Sequence, residues 1–177
     1  MTHPVGGGAR PGTLKALGAL GTAVIVSVGY IGVTYAIGLR ELWAGFVLLL
    51  CFGFFAEMKL QTLPSVVAGA LFGIVMAAIP VWLSPSLGTL GAYAVMLTMI
   101  LIAIYLFLLG RAAVLVNPTT LTFLTIVTNP HILPAARVGD IVLGTIAGAA
   151  YFGGLAGIGA LLARRKDAAA APPGGMA

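Results

Sequence analysis

Charged side chains are so scarce in this sequence that they restrict the solvent in which it can fold. Only 7% of the 177 residues are charged, whereas 60% are hydrophobic. A soluble domain carries about 25% charged residues and about 45–50% apolar ones. Four acids and nine bases cannot cover a water-soluble globule of this size, which argues against a soluble enzyme or a nucleic-acid-binding protein. We therefore expect an integral membrane protein whose partner is the lipid bilayer.

The apolar stretches predict an all-α, polytopic membrane protein with six transmembrane helices. Both ends of the chain, residues 1–12 and 164–177, are rich in small residues and proline, and we expect disordered cytoplasmic tails there. The domain between them, residues 13–163, has room for six crossings of about 25 residues each, loops included. Charged or proline-containing breaks divide it into segments near 14–39, 42–56, 63–80, 90–109, 118–128 and 140–163.

The basic residues predict which helix ends share a side of the membrane. With six crossings, two bases, Arg40 and Arg137, fall on one side and seven fall on the other. Because positive charge accumulates on the cytoplasmic side, we expect both termini in the cytoplasm. A five-crossing layout would put the C-terminal bases outside and is less favoured. The seven bases of the cytoplasmic side are Arg10, Lys15, Lys59, Arg111, Arg164, Arg165 and Lys166.

Two similar stretches suggest an internal repeat. Leu63-Pro64 is followed by a small-residue-rich helix containing Gly73, and Leu133-Pro134 is followed by one containing Gly144. The period of about 70 residues corresponds to three helices, so the two halves would face opposite ways. This predicts a 3+3 inverted repeat of the kind found in many transporters. Chance similarity between two glycine-rich helices is the alternative.

Glycines four residues apart mark faces where helices can approach closely. Such pairs favour close backbone contact within membranes. Contact within one subunit is one interpretation. The other is that Gly153 and Gly157 face a second copy, in line with a homo-oligomer. The predicted packing positions are Gly69, Gly73, Gly144, Gly148, Gly153 and Gly157.

Sets of residues that carry catalysis are missing from the sequence. The carboxylates lie far apart at predicted helix ends, and Cys51 is the only cysteine. The two histidines are not spaced as metal ligands, and no Gly-x-Ser-x-Gly elbow or phosphate-binding Gly-Lys-Thr loop occurs. We therefore expect no enzyme activity, no cofactor and no metal site.

Polar residues at membrane depth are concentrated after residue 116. Asn117 followed by Pro118 is typical of a helix N-cap and first turn. A helix from there to about Thr128 spans only about 16 Å, too short to cross a hydrocarbon core of about 30 Å. The preceding helix would then extend to about Val116, leaving the fifth helix broken at Asn117-Pro118.

Threonines recur every three residues along this short helix and form one polar stripe. The stripe predicts a pathway for a solute; the alternative is that each hydroxyl bonds the carbonyl four residues earlier. Arg137 and Asp140, three apart, suit an ion pair at the start of helix six, whereas Arg40 beside Glu41 suggests a helix-end anchor. The predicted pathway residues are Asn117, Thr119, Thr122, Thr125, Asn129, Arg137 and Asp140.

Parts of the chain resemble a known family. Residues 43–46 (WAGF) and 52–56 (FGFFA), with the glycine-rich helix that ends at 78–80 (AIP), look like small bacterial inner-membrane proteins grouped as domain of unknown function family 1097. Residues 137–149 (RVGDIVLGTIAGA) are distantly similar to a helix of the fusaric-acid-resistance-like transporter superfamily. That superfamily includes aromatic-acid efflux proteins and plant malate-activated anion channels.

The resemblance implies a six-helix membrane domain that moves small organic anions, with Arg137 and Asp140 as functional positions. This chain has one six-helix unit and no soluble domain, so it would pair with copies of itself or act alone. We expect a small transporter or channel for a small-molecule solute. A scaffold or subunit that transports nothing and packs through its glycines is the alternative.

Overall fold

The computed structural model describes residues 13–129, 132 and 137–170, and all regular structure in these ranges is helical. Three stretches are long and apolar enough to cross a membrane: Ala16–Ala36, Leu60–Leu108 and Val138–Lys166. The all-α class is confirmed, and these lengths support a membrane protein. The elements are α1 (Thr13–Ala36), α2 (Trp43–Phe54), a single 3-10 turn (Leu60–Thr62), α3 (Leu63–Leu108), α4 (Pro118–Val127) and α5 (Val138–Ala170).

The longest element, α3, is a hairpin of two arms. Gly88 has φ 67° and ψ 175°, outside the helical region, and glycine adopts such values at little cost. Pro80 and Pro85 lie just before this point, where each removes a helical hydrogen bond. The hydroxyl of Ser65 donates to the carbonyl of Val114 at 3.4 Å, so the chain after α3 has returned to the level where α3 began. The prolines therefore predicted the position of the reversal.

The short helix α4 runs beside the first arm of α3 and in the same direction. At its start, the side-chain amide of Asn117 donates to the backbone carbonyl of Ser65 at 2.9 Å. Just past its end, Thr128 lines one cavity together with Pro80. At a rise of about 1.5 Å per residue, α4 is about 15 Å long, about half the thickness of a hydrocarbon core. The predicted half-helix is thus present, starting at the predicted residue.

Helices α2 and α5 are parallel and touch through glycine. A Cβ atom added to Gly148 would collide with the backbone of Gly45, and one added to Gly144 would collide with the carbonyl oxygen of Glu41. Small residues permit such close approach, which stabilises helix pairs where lipid removes the hydrophobic driving force. The contact therefore depends on the glycines themselves.

Helix α1 is antiparallel to α5 and is attached near one end. The hydroxyl of Tyr30 donates to the carbonyl of Gly144 at 3.3 Å, and the hydroxyl of Tyr151 donates to the carbonyl of Val26 at 3.1 Å. The Tyr30 ring is fully buried and lies 4.8 Å from the Phe152 ring, centroid to centroid. Most other side chains described in α1 are exposed.

These directions define two ends of the bundle. Lys59 and Arg164 line one cavity at the end where α3 begins, and Arg111 belongs to the connection that returns to Ser65 there. We call this the Lys59 end. Arg137 pairs with Glu41 at the opposite end, which we call the Glu41 end. Lys59, Arg111 and Arg164 therefore lie at one end, and Arg137 lies at the other.

The core lies where α2, the first arm of α3, α4 and α5 meet. Fully buried side chains there include Leu48, Ile74, Phe123 and Ile141. Many large apolar side chains point outward instead, as Ile25 and Leu90 do at 74% and 85% exposure. Such an apolar exterior suits lipid and not water.

Two helix ends differ from those expected from the sequence. Helix α5 continues to Ala170, past the boundary expected at 163. The helix before Asn117 ends at Leu108 and does not reach Val116, because turns with positive φ at Gly110 and Ala112 intervene. Residues 1–12 and 171–177 of the expected tails lie outside the described residues.

The inverted repeat stays a prediction. Leu133 and Pro134 lie outside the described residues. A Cβ added to Gly153 of α5 would meet Leu63, and one added to Gly157 would lie 3.9 Å from Leu60. Helix α5 and the first arm of α3 are therefore antiparallel, the relation that such a repeat requires.

Candidate functional site

The N-terminus of α4 is fixed by the side chain of Asn117. Its Oδ1 accepts hydrogen bonds from the backbone N–H groups of Thr119 (3.0 Å) and Thr120 (3.2 Å). The backbone N–H of Asn117 in turn donates to the hydroxyl of Thr120 at 3.2 Å. This reciprocal pair satisfies donors that a helix start otherwise leaves unpaired. The N-cap predicted from Asn117-Pro118 is confirmed.

Two glycines of α3 make room for α4. A Cβ on Gly69 would collide with the side chain of Asn117. A Cβ on Gly73 would lie 2.6 Å from the carbonyl oxygen of Thr120 and 3.1 Å from the backbone N of Leu124. This strip, like the one on α5, therefore serves contacts inside the chain. Gly153, for which contact within one subunit and contact with a second copy were both open, would place a Cβ against Leu63 of the same chain.

The threonine stripe does not face one common space. Thr119 is buried, Thr122 is half-buried and Thr125 is exposed, so the stripe turns from the core toward the outside. The hydroxyl of Thr122 donates to the carbonyl of Pro118 at 2.9 Å, and that of Thr125 to the carbonyl of Leu121 at 2.8 Å. These two hydroxyls therefore make the local bonds that were the alternative to a pathway. Asn129, just after α4, is exposed.

Small cavities lie at both ends of α4. The one at the Lys59 end measures about 180 Å³ and is lined by Ser65, Asn117 and Thr119 among others. The one at the Glu41 end measures about 230 Å³ and lies between the two arms of α3. Phe123 and Leu124, both buried, fill the helix face between them. In the described residues, then, polar space is found at the ends of α4 and packed side chains in its middle.

Of the ion pairs among the described residues, the more buried one joins two residues that the sequence analysis did not place together. Nη1 of Arg137 lies 3.3 Å from Oε1 of Glu41. The Glu41 side chain is only 10% exposed, whereas that of Arg137 is 55% exposed. The other carboxylate oxygen of Glu41 accepts a hydrogen bond from the indole N–H of Trp43 at 2.6 Å. Both oxygens of a nearly buried carboxylate are thus engaged.

The ion pair differs from the sequence-based expectation. Arg137 was expected to pair with Asp140 and Glu41 to act as a helix-end anchor beside Arg40. In the part of the chain that the structure describes, Arg137 pairs with Glu41, and Asp140 is half-buried without an ion pair. Packing of α5 onto α2 brings together two residues far apart in the sequence, and this packing outweighs the local spacing of three.

Glu41 lies inside the bundle. Its carbonyl oxygen packs against Gly144, which is about 9 Å along α5 from the start of that helix. The next carbonyl, of Leu42, accepts a hydrogen bond from the Tyr30 hydroxyl at 3.2 Å. Because Glu41 also precedes α2 by two residues, the partial positive charge of that helix N-terminus stabilises its carboxylate.

The predicted site residues therefore fall into two groups. One group lies on or beside α4. The other lies at the start of α5, where Arg137 contacts Glu41 in the connection between α1 and α2. Sequence reasoning missed Glu41, Trp43 and Tyr30 as neighbours of Arg137. The signal available was an acid inside an apolar region, because a charged side chain is costly within a membrane domain.

Within the described residues, no three His, Cys, Asp or Glu side chains come close enough to hold a metal ion. No family model, no curated protein and no solved structure matches the chain. The resemblance to family 1097 therefore rests on the quoted residues alone.

Proposed function

We propose that this protein is a small integral membrane transporter for a small solute, with six crossings and both termini on the cytoplasmic side of the inner membrane. The six crossings would be α1, α2, the two arms of α3, the segment beginning with α4, and α5. The grouping of Lys59, Arg111 and Arg164 at one end, against Arg40 and Arg137 at the other, supports this layout.

The observation that carries the proposal is the Glu41–Arg137 ion pair. A charged residue is costly within a membrane domain and is retained there for function more often than for packing. Glu41 is nearly buried, and its backbone carbonyl oxygen packs against Gly144, about 9 Å along α5. A helix-end anchor would be satisfied by exposed charges, so the burial of this carboxylate favours a functional role.

The geometry of Arg137 favours an anionic solute. A guanidinium carries five N–H donors in a planar fork. One of its nitrogens contacts Glu41, and more than half of the side chain is exposed. A carboxylate arriving from the Glu41 end would find the remaining donors and compete with Glu41 for the cation. Release of Glu41 would then loosen the contact between α5 and the α1–α2 connection.

The half-helix α4 supports the same class of function. Helices that stop at mid-membrane depth are common where transporters bind solutes. The resemblance of residues 137–149 to an anion-transporting superfamily suggests a small organic anion as the solute. In this proposal the Asn117 cavity is the opposite opening, and packed side chains beside Phe123 must move for a solute to pass.

Flux through proteoliposomes tests the proposal. The full chain is reconstituted and loaded with radiolabelled benzoate, a small organic carboxylate, with chloride as a second probe. We expect benzoate efflux above that of empty liposomes, reduced at least tenfold by Arg137→Gln and by Glu41→Gln. Arg40→Gln removes a neighbouring exposed base and serves as the matched control, with efflux within twofold of wild type.

Two outcomes would overturn the proposal. Efflux of both probes equal to that of empty liposomes would exclude transport of these anions. Equal losses in Arg40→Gln and Arg137→Gln would mean that general charge at this end matters, and not the ion pair.

A second candidate function is a membrane scaffold or subunit that moves no solute. It is favoured by the packed middle of α4 and by the self-bonded hydroxyls of Thr122 and Thr125. Such a protein would associate through its exposed apolar surfaces with copies of itself or with other membrane proteins. Chemical cross-linking in native membranes, combined with zero flux, would support this candidate over the transporter.

A further inference from the structure

Two cavities near the Lys59 end share part of their walls. The first, about 470 Å³, lies between the connection after α2 and the last third of α5, and its lining includes Lys59, Gln61 and Arg164. The second, about 600 Å³, is a groove between α1, α2 and α5. Met58 and Ala156 line both of them. A polar, basic opening therefore continues into an apolar groove.

The groove is lined by uncharged side chains. Most of them are apolar, and the hydroxyl of Thr22 donates to the carbonyl of Gly18 in its own helix at 3.1 Å. Phe52 and Phe152 are among the lining residues, and beside Phe152 the hydroxyl of Tyr151 donates to the carbonyl of Val26, which ties α1 to α5. Most of the described side chains of α1 are exposed.

The opening carries positive charge. Lys59 forms a 2.7 Å salt bridge with Glu57, and this contact lowers the pKa of the Glu57 carboxyl. Glu57 thus offsets one base of the rim. Arg164 makes no ion pair with a described acid, and Arg165 follows it on α5. The rim therefore keeps a net positive charge at the Lys59 end.

The length of the combined space matches one leaflet. From Arg164 to Phe152, α5 advances about 18 Å. Half of a hydrocarbon core is about 15 Å. A single lipid therefore spans the distance from the basic rim to Phe152.

We propose that this space binds one anionic phospholipid, with its phosphate at Lys59 and Arg164 and one acyl chain between α1 and α5. Basic pockets between transmembrane helices are known sites for acidic lipid headgroups. A second copy of the chain is a poorer occupant, because in the same membrane orientation it would bring its own basic end against this rim. The proposal is independent of transport.

Native mass spectrometry of the detergent-solubilised full chain tests the site. The protein is incubated with dioleoyl phosphatidylglycerol or dioleoyl phosphatidylcholine, which have the same acyl chains. We expect one phosphatidylglycerol to remain bound, with at least tenfold preference over phosphatidylcholine. Lys59→Gln and Arg164→Gln each lower that preference about fivefold, the effect of about 1 kcal/mol per charge.

Matched variants separate the site from general charge and from general lipid contact. Arg111→Gln removes an exposed base at the same end, outside both cavities, and leaves the preference unchanged. Ala156→Phe fills the junction of the two cavities and reduces retention of both lipids at least fivefold. Ala23→Leu narrows the groove from α1 and acts in the same direction, which keeps the test informative if Ala156→Phe does not fold.

Several results would overturn the proposal. One is equal retention of the two lipids by the wild-type chain. Another is a loss in Arg111→Gln as large as that in Arg164→Gln. Competition by inorganic phosphate alone, as effective as phosphatidylglycerol, would reduce the site to a phosphate site. If the wild-type chain forms a dimer without lipid and Ala156→Phe dissociates it, the groove would be occupied by a second copy of the chain.

Discussion

Helices α1 and α4 show that a longer apolar helix is not a more buried one in this protein. The first has 24 residues and the second has ten. Half of the residues in α4 are buried, whereas Tyr30 and Thr34 are the buried side chains described in α1. In a bilayer, moving apolar side chains from lipid into contact with another helix lowers the free energy only slightly, because lipid is equally apolar. Burial therefore follows glycine-lined contacts and hydrogen-bonded caps, which α4 has and α1 largely lacks.

The largest expected loss of stability comes from a substitution that fills the space occupied by α4. Gly73→Ala would place a Cβ 2.6 Å from the Thr120 carbonyl oxygen, a backbone atom that cannot move without shifting α4. We expect the free energy of unfolding to fall by about 2 kcal/mol, as in overpacked cores. Unfolding in sodium dodecyl sulphate, followed by circular dichroism, measures it.

Gly32→Ala is the matched control for this variant, because a Cβ at Gly32 of α1 has no atom within 4 Å. It should leave stability unchanged or raise it by up to about 1 kcal/mol through helix propensity. Equal destabilisation by the two variants would contradict the contrast between α1 and α4.

The next effect tests the cap of α4. Asn117→Ala removes the acceptor for two backbone N–H groups and the donor to Ser65. We expect a loss of about 1–2 kcal/mol in the free energy of unfolding. Hydrogen exchange should also accelerate at the N–H groups of Thr119 and Thr120.

Asn117→Ser separates the two roles of this residue. Serine retains an acceptor for the helix start but does not replace the amide bond to Ser65. Slow exchange at Thr120 with reduced overall stability is expected. Fast exchange in this variant would show that the tertiary bond, and not the cap, holds the helix start.

A smaller effect is expected where α1 is attached. Tyr30→Phe removes one hydroxyl that donates to the carbonyls of Leu42 and Gly144 and keeps the buried ring. Hydrogen bonds between membrane helices contribute about 0.6 kcal/mol on average, and we expect a loss of that size. Tyr35→Phe, at a residue of α1 that is 84% exposed, should change nothing. Similar losses in both would mean that the attachment does not depend on this hydroxyl.

The smallest effect concerns the threonine stripe. Thr125→Val removes an exposed hydroxyl that is already bonded to the carbonyl of Leu121. We expect stability within about 0.5 kcal/mol of wild type and benzoate efflux within twofold. If Thr125→Val folds normally but shows a large fall in efflux, Thr125 would belong to the solute pathway after all.

Local features of the chain were predictable from the sequence because their causes are local. The cap at Asn117, the short helix after it and the reversal near Pro80 and Pro85 each depend on a few adjacent residues. The glycine positions were predictable for the same reason, since a missing Cβ is visible in the sequence. Which helix each glycine would contact was not, and for Gly153 contact within the chain and contact with a second copy were both open.

The ion pair could not be predicted because its partners meet only through tertiary packing. Spacing favoured Asp140 as the partner of Arg137, and adjacency favoured an anchor role for Glu41. Both rules consider one helix at a time. The pair forms because α2 and α5 are parallel and in glycine contact, which brings Glu41, just before α2, within reach of Arg137 at the start of α5.

The hairpin of α3 has a consequence for biogenesis. No charged residue lies between Lys59 and Arg111, so the turn at Gly88 offers no charge to retain it on either side during insertion. In the proposed six-crossing layout the two arms would therefore enter the bilayer as one unit, with their direction set by the bases at the open end. A single lysine placed beside Gly88 should hinder this insertion during synthesis.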